Sequence, residues 1–265
     1  MTVNHSFQTL FAVPMKCDSC VKDVSEAVHK LGGITKVEAS LADQLVVIEG
    51  TAPPSAIVDA IQATGRDAIL RGSGSSDSAA VSILETYQHL NLNETPEERH
   101  KREREVRGLA RMVQVSPTVT LVDLTVRGVS PGQYQVTVRE YGDLKDGALS
   151  AGPIWIGAGA ASGGASEGNT SRPRGALGVV QVDKSGRGNA YLESGFQVWE
   201  VIGHAMMVSP LDETTGGERP KNDADTVVGV IARSAGMWGN DKAVCACSGK
   251  TIWEERTDEV QKGMF

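Results

Sequence analysis

The sequence predicts an α+β domain of βαββαβ order, then an all-β Greek-key barrel, then a short extended tail. Three observations carry this. Apolar residues in positions 7–71 switch between strand spacing and helix spacing. Residues 72–78 read Gly-Ser-Gly-Ser-Ser-Asp-Ser, a flexible linker by composition. Residues 79–237 carry short, alternating apolar runs, rich in β-branched side chains and broken by turn residues at close intervals. The 265 residues, 40% hydrophobic and 22% charged, have the balance of a globular chain with room for more than one domain. No apolar run approaches the roughly 18 residues of a membrane span. The N-terminus lacks the basic-then-apolar pattern of a secretory signal. A formal net charge of −7 argues against a nucleic-acid partner.

In the first unit, Phe7–Val13 is a strand candidate ending at Pro14. Asp18–Leu31 is a helix, because Val21, Val24, Val28 and Leu31 recur at spacings of three and four, and Gly32-Gly33 stops it. Ile34–Ser40 and Gln44–Glu49 make a hairpin, with Ile34, Val37 and Ala39 toward the buried side. Pro54–Ala63 is a second helix, with Ile57, Ala60 and Ile61 on one face. Arg66–Arg71 supplies the last strand. This is the split-βαβ plan of ferredoxin-like domains.

Beyond the linker, Val119–Val126 and Tyr134–Tyr141 alternate, with Ser130-Pro131-Gly132 as the turn between them. Val179–Val182, Ala190–Leu192, Trp199–Val208 and Thr226–Arg233 complete the expected strands, and Gly157–Asn169 is a loop. Thr95-Pro96-Glu97-Glu98 is a capping box that opens a charged run to Arg107, expected as a short solvated helix. Residues 238–265 are too short and polar to bury a core; they are expected to be mobile until a partner or metal orders them. The expected divisions are 1–71, a linker at 72–78, 79–238, and a tail at 239–265.

The four cysteines form two tight pairs, Cys17/Cys20 and Cys245/Cys247, with none between. A secreted disulfide scaffold would distribute its cysteines; close pairs read as metal or redox thiols in a reducing compartment. In Met15-Lys16-Cys17-Asp18-Ser19-Cys20 the thiols flank a helix start, where unpaired backbone N–H groups favour thiolate. Two soft thiolates suit Cu(I), whereas Zn(II) takes four ligands. A lone CxxC is also shared by thioredoxin-like and half-zinc sites. At the other end, residues i and i+2 of an extended CxC project to one side, so both sulfurs can meet one ion. A CxC disulfide closes a small strained ring that exchanges readily.

Met15-Lys16-Cys17-Asp18-Ser19-Cys20 resembles the MxCxxC motif of heavy-metal-associated domains, and Thr64-Gly65-Arg66 resembles the basic loop of their soluble copper chaperones. The resemblance implies that Arg66 offsets the charge of a bis-thiolate copper centre. Met15 reads as a core anchor rather than a ligand.

Several middle segments resemble Cu/Zn superoxide dismutase: residues 139–143, 150–153, 201–204 and 228–231. By that likeness the copper-binding HxH positions hold Thr137 and Arg139, the bridging His position holds Ile154, and the last copper His position holds Ser209. The zinc positions fall at Pro173 and Ala176, the catalytic Arg at Asp225, and the disulfide at Ala148 and Val228. His204 aligns with a non-ligand. Only five histidines occur in the chain, and none lies between His100 and His204, so an imidazole-built copper–zinc site is chemically impossible here. A scaffold kept without its site points to its surface.

MxCxxC domain, linker, ligand-less dismutase-like domain and CxC tail occur together in one order. The whole chain thereby resembles the copper chaperones for superoxide dismutase, of the fungal type. The resemblance implies a non-enzymatic metallochaperone that carries Cu(I) on Cys17, Cys20, Cys245 and Cys247. Its implied partner is apo Cu/Zn superoxide dismutase, bound as a heterodimer through Gly229, Val230, Ile231, Ala232, Arg233 and Trp238. The same surface implies a homodimer when alone. Cys245 and Cys247 are implied to pass copper and to help form the target disulfide. A copper donor at the membrane fits the same reading, as does a cytoplasmic location with a share in the mitochondrial intermembrane space. The competing readings are a thiol–disulfide oxidoreductase without copper, an active dismutase, and a structural zinc protein joining both ends.

Overall fold

The computed structural model describes residues 5–75, 77–87, 105–157, 173–211, 220–237 and 249–261, with 259–261 as backbone only. Cys245, Cys247 and Trp238 lie outside these residues, as do positions 94–104 of the charged insert.

The N-terminal unit comprises β1 (Phe7–Ala12), α1 (Asp18–His29), β2 (Ile34–Ser40), β3 (Leu45–Gly50), α2 (Pro54–Gln62) and β4 (Ile69–Ser73). Its sheet runs β2-β3-β1-β4, all neighbours antiparallel. Val24 and Val28 of α1 and Ile57 and Ile61 of α2 are buried against Phe11, Val46 and Ile48 of the sheet. The β2–β3 hairpin has Gln44 at φ 54°, and Gly32 and Gly33 take φ 73° and 69° where α1 ends. Positive φ suits a residue without Cβ, so the Gly-Gly stop is a backbone requirement. β4 starts three residues later than the strand expected at Arg66 and runs through Gly72 and Ser73, into the expected linker.

The second unit is a closed antiparallel barrel of eight strands in the order β10-β7-β6-β5-β12-β11-β8-β9. They are β5 (Ala79–Thr86), β6 (Val106–Ser116), β7 (Val119–Arg127), β8 (Gly132–Arg139), β9 (Ala176–Val182), β10 (Arg187–Ser194), β11 (Ala205–Pro210) and β12 (Val227–Arg233). Leu84, Met112, Val122, Leu124, Val136, Val180, Met206 and Ile231 fill the interior, with Leu192 of β10 packed against them, so inward positions alternate along the strands.

Two expected elements are corrected. Of the charged helix expected to Arg107, only residues 105–107 are described, and its end is corrected: Val106 and Arg107 belong to β6. Trp199–Val208 is not one strand: α3 (Val198–Val201) precedes β11. A reciprocal capping box between Gln197 and Glu200 starts that turn, and Gly203 at φ 85° ends it. The tail, expected to be mobile, contains α4 (Ile252–Gln261), opened by a Thr251–Glu254 side-chain and backbone bond pair.

The two units touch. The face of β7 that points away from the barrel interior lies under the N-terminal domain, so Asp123 is only 3% exposed. Its carboxylate accepts the Ser55 backbone N–H at 2.8 Å and the Ser55 hydroxyl at 2.6 Å, at the start of α2. A Cβ on Gly72 would lie 2.2 Å from the Gly236 carbonyl, so the two backbones meet with no room for a side chain. Arg256 of α4 reaches Asp67 at 3.2 Å and ties the tail to the same domain.

Candidate metal centre

Cys17 is the residue preceding α1, in extended backbone, and Cys20 lies in the first turn. Their sulfurs are 3.3 Å apart, neither is in a disulfide, and Cys17 is exposed. Spacing explains the closeness: the chain turns into the helix between them, so residues i and i+3 come onto one face. The Ser19 hydroxyl sits 3.0 Å from the Cys17 sulfur.

The Cys20 thiol is brought down to about 6, first by a backbone hydrogen bond at Lys16, then by the Arg66 side chain and by Cys17. Cys20 is therefore largely thiolate at neutral pH, ready to take a soft metal without a general base. Arg66 also donates to Asp23 at 3.0 Å, which aims the guanidinium across the helix start. The guanidinium also donates from Nη1 to the Thr64 carbonyl at 3.0 Å, which fixes the loop that carries it. Met15 is 2% exposed and packs in the domain core beside Val24 and Ile57. It is placed as an anchor beneath the loop, with its sulfur away from solvent.

Asp23 and Ser19 were not singled out from sequence. Asp23 could have been found by spacing, since it lies three residues after Cys20 on the same helix face.

In the barrel, Thr137 and Arg139 are buried on β8. Arg139 donates from Nε and Nη2 to the Gly152 carbonyl at 2.9 and 2.5 Å, so its side chain is committed to structure. His204 contacts the Arg139 carbonyl at 2.9 Å through Nδ1 and packs on the Trp155 ring. Among the described residues, no three His, Cys, Asp or Glu side chains gather as a metal site.

Of the residues expected at the docking face, Gly229 and Ile231 are buried, whereas Val230, Ala232 and Arg233 are exposed. Strand alternation produces this: Ile231 fills the barrel, and Gly229 backs onto the Ile83 carbonyl. On the far side of β11, where Ala205 pairs with Val230 and donates to the Tyr141 carbonyl, lies an apolar patch absent from the sequence reading of that face. Tyr141 is 56% exposed, Trp199 61% and Ile156 41%, and together they border one shallow depression with Pro153 and Ile154.

Comparison with known proteins meets this geometry at both ends. Residues 9–67 match the heavy-metal-associated domain family, and residues 106–231 match copper/zinc superoxide dismutase. A protein of Debaryomyces hansenii named superoxide dismutase 1 copper chaperone is 41% identical over 98% of both chains. The chain belongs to the copper chaperones for superoxide dismutase. The Saccharomyces cerevisiae member is 34% identical over 98% of both chains. The human member, named copper chaperone for superoxide dismutase, is 35% identical over 93% of this chain and 88% of its own. These relatives are named as chaperones, which agrees with an exposed thiol pair on one domain and, on the other, a dismutase-family barrel with no cluster of metal ligands among the described residues.

Proposed function

We propose that this chaperone delivers copper, as Cu(I), to apo Cu/Zn superoxide dismutase and promotes the target's disulfide. The observation that carries the reading is the pair of sulfurs 3.3 Å apart at the start of α1, one of them acidified and faced by Arg66. Two thiolates in near contact bind a soft d¹⁰ ion and leave its remaining positions open. An incoming thiolate attacks the bound ion, a third sulfur joins, and one of the first two leaves. Copper passes without becoming a free ion. Arg66 holds negative charge at the site during the exchange.

The barrel docks on the immature dismutase through Val230, Ala232 and Arg233 with the neighbouring Tyr141, Ile156 and Trp199. Exposed aromatic anchors beside a rigid sheet suit such a contact. The same face pairs two copies when the target is absent. Cys245 and Cys247 complete the transfer. As a disulfide, that pair exchanges with two target thiols: the target loses two electrons and two protons, and the cysteines of the tail gain them. Docking raises the effective concentration of the tail at the target. The reading assigns the chain to the cytoplasm, with a share in the mitochondrial intermembrane space, and admits a copper donor at the membrane.

The test compares Cys17→Ser/Cys20→Ser with Cys245→Ser/Cys247→Ser for activation of apo-dismutase under limiting copper. The tail variant is expected to lose more. Full activation by the tail variant refutes its assigned role. A Cu(I) titration against a competing chelator checks the cargo; absence of tight binding refutes the copper reading.

A further inference from the structure

Beneath the N-terminal domain, two barrel strands set like charges against each other. Arg127 on β7 and Arg187 on β10 are directly opposed in register. Such a pair is unfavourable unless something negative lies between. Both line an open cleft of about 570 Å³ between the two domains. That volume falls among the clefts that hold small organic ligands.

The walls have a distinctive charge. Arg71, Arg107, Arg111, Arg127, Arg187 and Arg256 line the cavity, against Asp59 and Asp67. This concentration of cations occurs in a chain of net charge −7. The carboxylates answer it only in part. Arg107 pairs with Glu105 at 2.7 Å, Arg256 is held by Asp67 at 3.2 Å, Arg111 faces Asp123 at 3.6 Å, and Arg187 reaches Asp59 only at 4.0 Å. Arg127 makes no hydrogen bond or ion pair among the described residues. Burial, and then the Arg187 charge, work against its ionised form.

A second, independent observation points the same way. Ser73 Oγ and Arg107 Nε are buried without a hydrogen-bond partner among the described residues, and both residues belong to the cavity wall. Ser73 is only 6% exposed. Buried donors are normally satisfied, so the Ser73 hydroxyl calls for an acceptor at the cavity, while the two Nη atoms of Arg107 already donate to Gly128, Ala224 and Glu105. Between the guanidinium groups the wall is apolar, with Val58, Leu70, Ile83 and Leu109.

We propose that this interdomain cavity is a binding site for a phosphorylated organic anion of nucleotide size. Guanidinium forks match phosphate oxygens two at a time. Inorganic phosphate alone would leave the apolar wall uncovered. The occupant bridges β4 of one domain to β6, β7 and β10 of the other and fixes their relative placement.

The experiment is calorimetric titration of ATP into the full-length, metal-free, reduced chain in EDTA at constant ionic strength. Saturable one-site binding is expected, with Kd below about 1 mM and a raised melting temperature. Inorganic phosphate is expected to bind at least about tenfold more weakly. Arg127→Gln/Arg187→Gln is expected to weaken ATP binding by about tenfold or more. Ile83→Asp, at an exposed rim position, weakens it without touching the fold. Cys17→Ser/Cys20→Ser leaves it unchanged, which separates this site from the copper reading. No saturable binding of ATP, equal binding of phosphate, or an affinity indifferent to both the arginine and the Ile83 variants overturns the proposal.

Discussion

Asp123→Ala removes the contact that joins the two domains most directly. The carboxylate is 3% exposed and accepts two hydrogen bonds from Ser55, at 2.8 and 2.6 Å, while Arg111 stands at 3.6 Å. Its loss leaves the Ser55 N–H, the Ser55 hydroxyl and a guanidinium without their acceptor. Breaking a buried charged contact costs about 3–5 kcal/mol. Arg111 is not in tight contact and retains 21% side-chain exposure, so the lower end, about 3 kcal/mol, applies. Ser55→Ala removes one hydrogen bond to a charged acceptor and keeps the backbone bond, a loss of about 1.5 kcal/mol. A double-mutant cycle is then expected to give a coupling of about 1 kcal/mol or more. Urea unfolding of the full chain reads it. All four tryptophans lie beyond residue 150, so fluorescence follows the barrel and tail while far-ultraviolet circular dichroism follows both domains. The two transitions coincide in the parent chain and separate in Asp123→Ala. A coupling below about 0.3 kcal/mol would refute the clamp.

Alkylation of Cys20 is expected to follow a pH midpoint near 6, measured by mass spectrometry against time. Arg66→Met moves that midpoint upward, toward the ordinary thiol value of about 8.5. Because the folded thiol is the more acidic one, its ionisation favours the fold fully above the ordinary thiol value, and the benefit disappears as pH falls through about 6. Met15→Ala costs the N-terminal domain about 2–5 kcal/mol in thermal or urea unfolding; copper stoichiometry on the refolded domain stays the same, and a lost equivalent would instead make Met15 a ligand. Gly229→Ala puts a Cβ 1.9 Å from the Ile83 carbonyl and prevents normal pairing of β12 with β5. Gly195→Ala, with nothing within 4 Å, keeps the parent's melting temperature.

How far the sequence could be read depended on whether a signal was local. Both N-terminal helices and the β2–β3 hairpin were legible, because Val24, Val28, Ile57 and Ile61 mark helix faces within a few residues of each other. So was the thiol pair. β5 and β6 were not recognised. β6 follows a charged run that reads as a helix, and the pairing that fixes it runs to β5 and β7 in space. α3 was hidden inside an apolar stretch whose Gln197–Glu200 box is easily passed over. Asp123 was invisible as a clamp, since an acidic residue amid Val122 and Leu124 reads as the solvent side of an amphipathic strand. It is buried only because a second domain lies over it.

The register of β12 against β5 has a consequence for how the molecule is made. Arg233 lies opposite Ala80, so the barrel's first strand waits for its last. A chain emerging from the ribosome finishes its copper-binding domain long before that. Until the closing strand arrives, β5 presents a bare edge able to pair with a neighbour. The nascent chain thus passes through an interval in which its first domain is already closed and its barrel is still open.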